Sequence, residues 1–162
     1  MTLVVLNRRT LLAASGAVLA AGVSSLVSPA QAQGLQPTRS MPGGANNYTK
    51  GAPIVKRIGK GGFWMTGTVR RAGDGAPLAG QRIHIWAHTV EGQEHEPQSH
   101  GATLTDKNGV FRLEMPQIIP IFGQPHGHLA YDSGEFQTVF LRPVMRSAKN
   151  TSLEAHFVLQ PA

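Results

Sequence analysis

Two histidines stand one residue apart behind a proline, in Pro125-His126-Gly127-His128. In an extended chain alternate side chains point to the same side, so both imidazoles face one way and can share one metal ion. Five further histidines are spread over the chain: His84, His88, His95, His100 and His156. His84 and His88 flank Trp86 in Gln81 to Thr89 (Q-R-I-H-I-W-A-H-T), where alternation places Ile83, Ile85 and Ala87 on one face and His84, Trp86 and His88 on the other. His95 and His100 sit in the polar loop E-G-Q-E-H-E-P-Q-S-H-G, residues 91 to 101. The chain has no cysteine, which excludes a disulfide framework, a thiolate zinc site, an iron–sulfur cluster and a cysteine nucleophile. Any metal must therefore sit on nitrogen and oxygen.

Short strands must carry these residues. From Phe63 onward the chain runs in apolar stretches of a few residues separated by turn signals, the pattern of an antiparallel sandwich. Strands are expected at Trp64 to Arg70, Gln81 to Thr89, Val110 to Met115, Gly127 to Tyr131, Phe136 to Leu141 and Leu153 to Leu159. Asp106-Lys107-Asn108-Gly109 reads as a tight turn in which Asp106 satisfies local backbone groups. With 162 residues, 19 glycines and 11 prolines, the chain suits one small turn-rich domain and excludes a coiled coil or a multidomain enzyme. The all-β domain is expected over residues 63–162. Before it, residues 33–62 are rich in Gly, Pro, Asn and Lys with no apolar period, and read as an extended N-terminal arm containing Tyr48.

Residues 1–32 read as a targeting segment. Arg8-Arg9, with Leu11 two places on, precede an apolar run through about Val27 that ends in Ala30-Gln31-Ala32. This resembles a twin-arginine export signal with an Ala-x-Ala cleavage site, which implies the export machinery as a partner, a periplasmic or secreted location and no membrane association after cleavage. Without Arg8 and Arg9 the 15 basic residues fall to 13 against 9 acidic ones, leaving a net +4 on the mature chain. Those bases are scattered with no interleaved aromatic platform, so no nucleic-acid partner is expected. A homo-oligomer that pairs sandwich edges is an open alternative.

Between about Met65 and Arg142 the ordered motifs G-T-V (67–69), P-L-A-G (77–80), I-H-I-W (83–86), T-D-K-N-G-V-F (105–111), P-H-G-H (125–128) and F-Q-T-V-F (136–140) resemble the intradiol ring-cleavage dioxygenase family. The resemblance implies an antiparallel β-sandwich, of a type also similar to transthyretin-like domains. It implies a non-haem iron held by two tyrosinates and two histidines, acting on a small aromatic substrate with dioxygen. His126 and His128 occupy the His-x-His positions. The first tyrosine position falls at Gln93-Glu94-His95, and Met115 to Gln124, where the second should lie, holds no tyrosine. His95 replaces the first tyrosine by alignment and His88 is the rival through its shared face with Trp86, with Glu94, His84 and His100 also open. Such a histidine-rich set suits Cu, Zn or Fe(II). Gln137 falls where the family has a glutamine lining the active site, and Arg142 is placed to attract an anionic substrate. The expected function is an exported metal-dependent oxygenase of phenolic compounds. The alternative is a non-enzymatic metal- or ligand-binding sandwich module.

Overall fold

The computed structural model describes residues 34–162, so the leader read over residues 1–32 lies outside the described residues. Seven strands follow in order: β1 (Phe63–Arg71), β2 (Arg82–Ala87), β3 (His100–Leu104), β4 (Val110–Met115), β5 (Gly127–Tyr131), β6 (Val139–Leu141) and β7 (Ser152–Leu159). They form two sheets, β4-β1-β7 and β3-β2-β5-β6. Every ladder is antiparallel except β1 with β7. This is the expected all-β sandwich.

Alternation decides what faces inward. In β1 Phe63, Met65, Gly67 and Val69 are buried, whereas Trp64 and Arg70 are exposed and Thr66 and Thr68 lie between. Gly67 has no room for a side chain, because a Cβ there would lie 1.6 Å from the Ala155 carbonyl oxygen and 2.6 Å from the Phe111 ring. Ile83, Ile85 and Ala87 of β2 meet Val69, Phe111, Leu113, Val139 and Phe157 in one core, as the pattern requires. Tyr131 belongs to that core, where its hydroxyl accepts the Phe136 N–H and burial raises its pKa. Asp106 caps its own turn, accepting the N–H groups of Asn108 and Val110 on one carboxylate oxygen.

Three details depart from the pattern. His100–Leu104 is a full strand, paired with β2 from Arg82↔Leu104 to Trp86↔His100, although its sequence reads as a loop running into a turn. β6 is shorter than Phe136 to Leu141 suggests, because Phe136 bridges Pro161 and Gln137 bonds Gln160, pulling the first residues out of the ladder. The arm is not free, since it runs along the edges of both sheets. Thr38 exchanges bonds with Val158 of β7, Met41 donates to Phe140 of β6, Pro53 and Val55 bond Ala102 of β3, and Ile58 donates to Glu114 of β4. Each of the four edge strands is thereby partly covered, which removes a template for pairing with other chains.

The same arm covers the outer face of the four-stranded sheet. As a result β2 and β5 are buried on both faces, and His84, Trp86, His128 and Ala130 are 0% exposed.

Candidate metal centre

His128 lies on the outer face of β5, and His126 continues the same alternation just before the strand. The Pro125–Gly127 segment is held extended by bonds from Gly127 to the Pro143 carbonyl and from Met145 to the Pro125 carbonyl, with His126 bridging Val144. Glu94 approaches from the loop between β2 and β3. Its Oε2 lies 3.3 Å from Nε2 of His128 and 3.7 Å from Nε2 of His126. One ligand atom from each of the three residues falls within 4.8 Å of the others. Exposure of these side chains is 0% for His128, 5% for His126 and 13% for Glu94.

Hydrogen bonding on the far side of each ring sets which nitrogen faces the cluster. The His128 Nδ1 lies 3.1 Å from the Gly44 carbonyl and the His126 Nδ1 2.9 Å from the Gln124 carbonyl. A carbonyl only accepts, so each Nδ1 carries the proton and each Nε2 turns a lone pair toward Glu94. The outer oxygen, Oε1, accepts from the Asn47 side-chain amide at 2.7 Å. Glu94 Oε2 and His128 Nε2 are left buried with no hydrogen-bond partner, facing each other as two acceptors. Buried polar atoms are seldom left so, and a cation shared by the two would satisfy both. A proton is the poorer candidate, because burial holds the His128 pKa below its ordinary 6.5. A divalent metal ion fits, and two imidazoles with one carboxylate on one side of it is the ligand set of open-sided non-haem Fe(II) centres, also compatible with Zn or Cu. The Nδ1–carbonyl bonds are the outer contacts that orient metal-bound histidines.

The other singled-out residues fall around this cluster or away from it. His95, the choice by alignment, is exposed, and its neighbour Glu94 turns inward instead. His88 comes closer: continuing the β2–β5 register one step past Ala87↔Gly127 sets it opposite His126. Its Nδ1 is buried and unpartnered, but it is outside the three-residue cluster. Gln137 is exposed and lines a cavity of about 370 Å³ with Arg39, Ser40 and Gln160, and none of the cluster residues lines that cavity. Gln137 precedes β6, which begins only at Val139. Arg142 does reach the centre, with a guanidinium nitrogen 3.4 Å from Nδ1 of His126. His156 lies on the exposed face of β7 and bonds Thr68.

No tyrosine joins the cluster. Tyr131 is in the core, and Tyr48 packs against His84, Trp86 and Phe140 with its hydroxyl bonded to Asp132. Burial and then the Asp132 carboxylate push the Tyr48 pKa to about 12, so it keeps its proton. The donors present therefore do not make the bis-tyrosinate ferric centre that the motif resemblance implies, whereas they do make a carboxylate–imidazole site. Glu94 is one of the alternatives that stood open behind His95, whereas nothing in the spacing of the arm singles out Asn47.

No protein-family model matches the sequence, and no curated protein matches it. By structure the fold is that of the intradiol ring-cleavage dioxygenases. Hydroxyquinol 1,2-dioxygenase from Pseudomonas putida DLL-E4 superposes with a TM-score of 0.59 at 12% identity, covering 79% of this chain and 68% of that one. 3-Chlorocatechol 1,2-dioxygenase from Rhodococcus opacus 1CP gives 0.58 at 17% identity, over 80% and 74%. The dioxygenase domain of a carbohydrate-binding fusion protein from Streptomyces sp. SirexAA-E gives 0.59 at 14% identity, over 78% of this chain and all of that domain.

Proposed function

We propose that this protein is an exported metal-dependent oxygenase that acts on catechol-like or other phenolic compounds with dioxygen. The observation that carries this reading is the buried Glu94–His126–His128 cluster, whose lone pairs converge without a proton to share. Its place in an intradiol dioxygenase fold supports the oxygenase class, since the structures it resembles are dioxygenases of hydroxyquinol and chlorocatechol.

His126, His128 and Glu94 would hold the ion. Once bound, a divalent ion with three protein ligands leaves positions at which a phenolic oxygen and dioxygen can be brought together. The chain's own groups prepare that encounter. Asn47 holds the carboxylate by Oε1, which leaves Oε2 for the cluster. The Gly44 and Gln124 carbonyls keep both imidazoles in the tautomer whose Nε2 faces inward. Arg142 places a positive charge beside His126, suited to drawing a phenolate or carboxylate toward the site. The deciding experiment is metal analysis of the exported protein together with oxygen uptake on a panel of catechols. Stoichiometric metal and catechol-dependent uptake are expected, both lost in His126→Ala and His128→Ala.

A second reading, a periplasmic metal-binding module without turnover, is favoured by one observation, the absence of the two tyrosines from the cluster. Stoichiometric metal with no oxygen uptake on any phenol would establish it. Export rests on the Arg8-Arg9 segment: Arg8→Lys with Arg9→Lys should leave precursor in the cytoplasm, and an intact mass that still includes residues 1–32 in the exported protein would refute cleavage near Gln33.

A further inference from the structure

Glu94 is a ligand on a loop, and loops are the least well-fixed parts of a fold. The Thr89–Ser99 connection holds it mainly through short turns, Thr89 with Gly92 and Gln93 with Glu96. Something on a strand has to fix its backbone if the carboxylate is to stay aimed at two histidines.

That anchor is a pair of imidazoles. His100 Nε2 lies 2.8 Å from the Glu94 carbonyl, and His100 Nδ1 lies 3.0 Å from Nε2 of His84. The direction of the chain is forced. The carbonyl can only accept, so Nε2 of His100 carries its proton; Nδ1 of His100 is then the acceptor, and His84 donates from Nε2. Nδ1 of His84 is left as a lone pair, fully buried and without a partner. An apolar side chain would fill that space without an unsatisfied acceptor, so the feature an imidazole adds at position 84 is its N–H toward His100. Trp86 ties this pair to the ligands. Its indole stacks on His100 at 5.6 Å with an interplanar angle of 5°, and on His128 at 5.1 Å and 12°. All three residues sit on the outer face of adjacent strands in register, Trp86↔His100 and Trp86↔His128.

We propose that His84 and His100 are positioning residues for the metal ligand Glu94, a relay running His84 Nε2–H to His100 and His100 Nε2–H to the Glu94 carbonyl. This rests on the metal reading of the cluster. The relay transfers the rigidity of β2 and β3 to a loop carboxylate, so its loss should act on metal affinity and ligand geometry more than on the fold.

The amide side chains separate the hydrogen bond from the ring. In His100→Gln the amide nitrogen reaches about as far as Nε2 and can still donate to Glu94; in His100→Asn it stops at the level of Nδ1 and cannot. Zn(II) affinity of the exported, demetallated chain is measured by competition with a chromophoric chelator, and the visible spectrum is recorded with Co(II) in its place. His100→Asn and His84→Phe should bind Zn(II) about 10–100-fold more weakly, the range for losing an outer contact to a ligand, and should shift the Co(II) bands. His100→Gln, which keeps a donor for Glu94 but offers His84 no acceptor at the level of Nδ1, should fall between His100→Asn and wild type in both. Equal affinities in His100→Asn, His100→Gln and wild type overturn the proposal. So does an equal loss in Asn and Gln, because the ring rather than its N–H would then matter. Unchanged Zn(II) binding in His126→Ala would instead strike the metal reading itself. Should His84→Phe fail to fold, His84→Asn against His84→Gln gives the same comparison at 84, where Gln can still donate to His100 and should bind Zn(II) more tightly than Asn; equal affinities there overturn the role of His84.

Discussion

At the scale of residues, the centre is a contest between neighbours. Glu94 and His95 are adjacent in one polar loop, and both are good ligands by type. Only Glu94 is turned inward, where Asn47 takes its second oxygen. Glu94→Gln keeps the shape but removes the charge and one ligand oxygen. Metal retained after dialysis against a weak chelator should fall by far more than the 10–100-fold of an outer-contact loss, whereas His95→Ala and His156→Ala should retain wild-type content. A pH effect follows from His84, whose burial, with the charge of His100 secondary, pushes its pKa down to about 4 from 6.5. The unfolded chain takes up this proton below 6.5 and the folded one only below about 4. Stability from this residue is therefore present at pH 7, is lost as pH falls from 6.5 to 4, and changes no further below that. Denaturant unfolding of the metal-free chain across this window should show a shallower slope in His84→Phe, by on the order of 3 kcal/mol in total.

At the scale of elements, the arm does more than connect. It supplies the Gly44 carbonyl to His128, the Asn46 carbonyl to the Trp86 indole N–H and the Asn47 amide to Glu94. Gly44 can do this because it has no side chain, as a Cβ there would lie 2.8 Å from the Phe140 carbonyl oxygen. Gly44→Ala should push the arm off β6 and weaken metal binding while leaving the core sandwich folded, read as lower Zn(II) affinity with an unchanged far-ultraviolet spectrum. Deleting residues 34–48 removes all three contacts and also uncovers the edges of β6 and β7. The expected outcome is loss of metal together with self-association in size-exclusion chromatography, whereas a monomer with full metal content would show that the arm is dispensable.

At the scale of the whole molecule, an ion bound by Glu94, His126 and His128 would link two partners that lone-pair repulsion otherwise separates: the β2–β3 loop and the strand entering β5. Binding only to the folded chain stabilises it by mass action, about 2.7 kcal/mol at a hundred times Kd. Chelation should therefore lower the thermal midpoint of the wild-type chain and leave that of His126→Ala unmoved. Equal midpoints with and without chelator in the wild type would count against a resident ion. The outer face of the other sheet is different in kind, with Arg112 stacked over an exposed Trp64 and no orphaned buried ligand.

Strand alternation alone was enough to place Ile83, Ile85 and Ala87 inward and His84 and Trp86 outward, since the period of a strand is a local property of the backbone. By the same rule His126 and His128 could be read as facing one side, and the order of motifs carried the sandwich class. Three matters were left to the tertiary structure. Alternation does not say what covers the outward face of β2, which is buried because an arm with no apolar period of its own lays Tyr48 and the Gly44 and Asn46 carbonyls against it. Glu94 stood among several candidates for the third ligand but behind His95, because a loop has no period from which to infer which of two adjacent side chains points inward. Gln137 matched a motif by position, but the pairing of Phe136 with Pro161 withdraws it from β6, a long-range contact that spacing within one segment cannot encode.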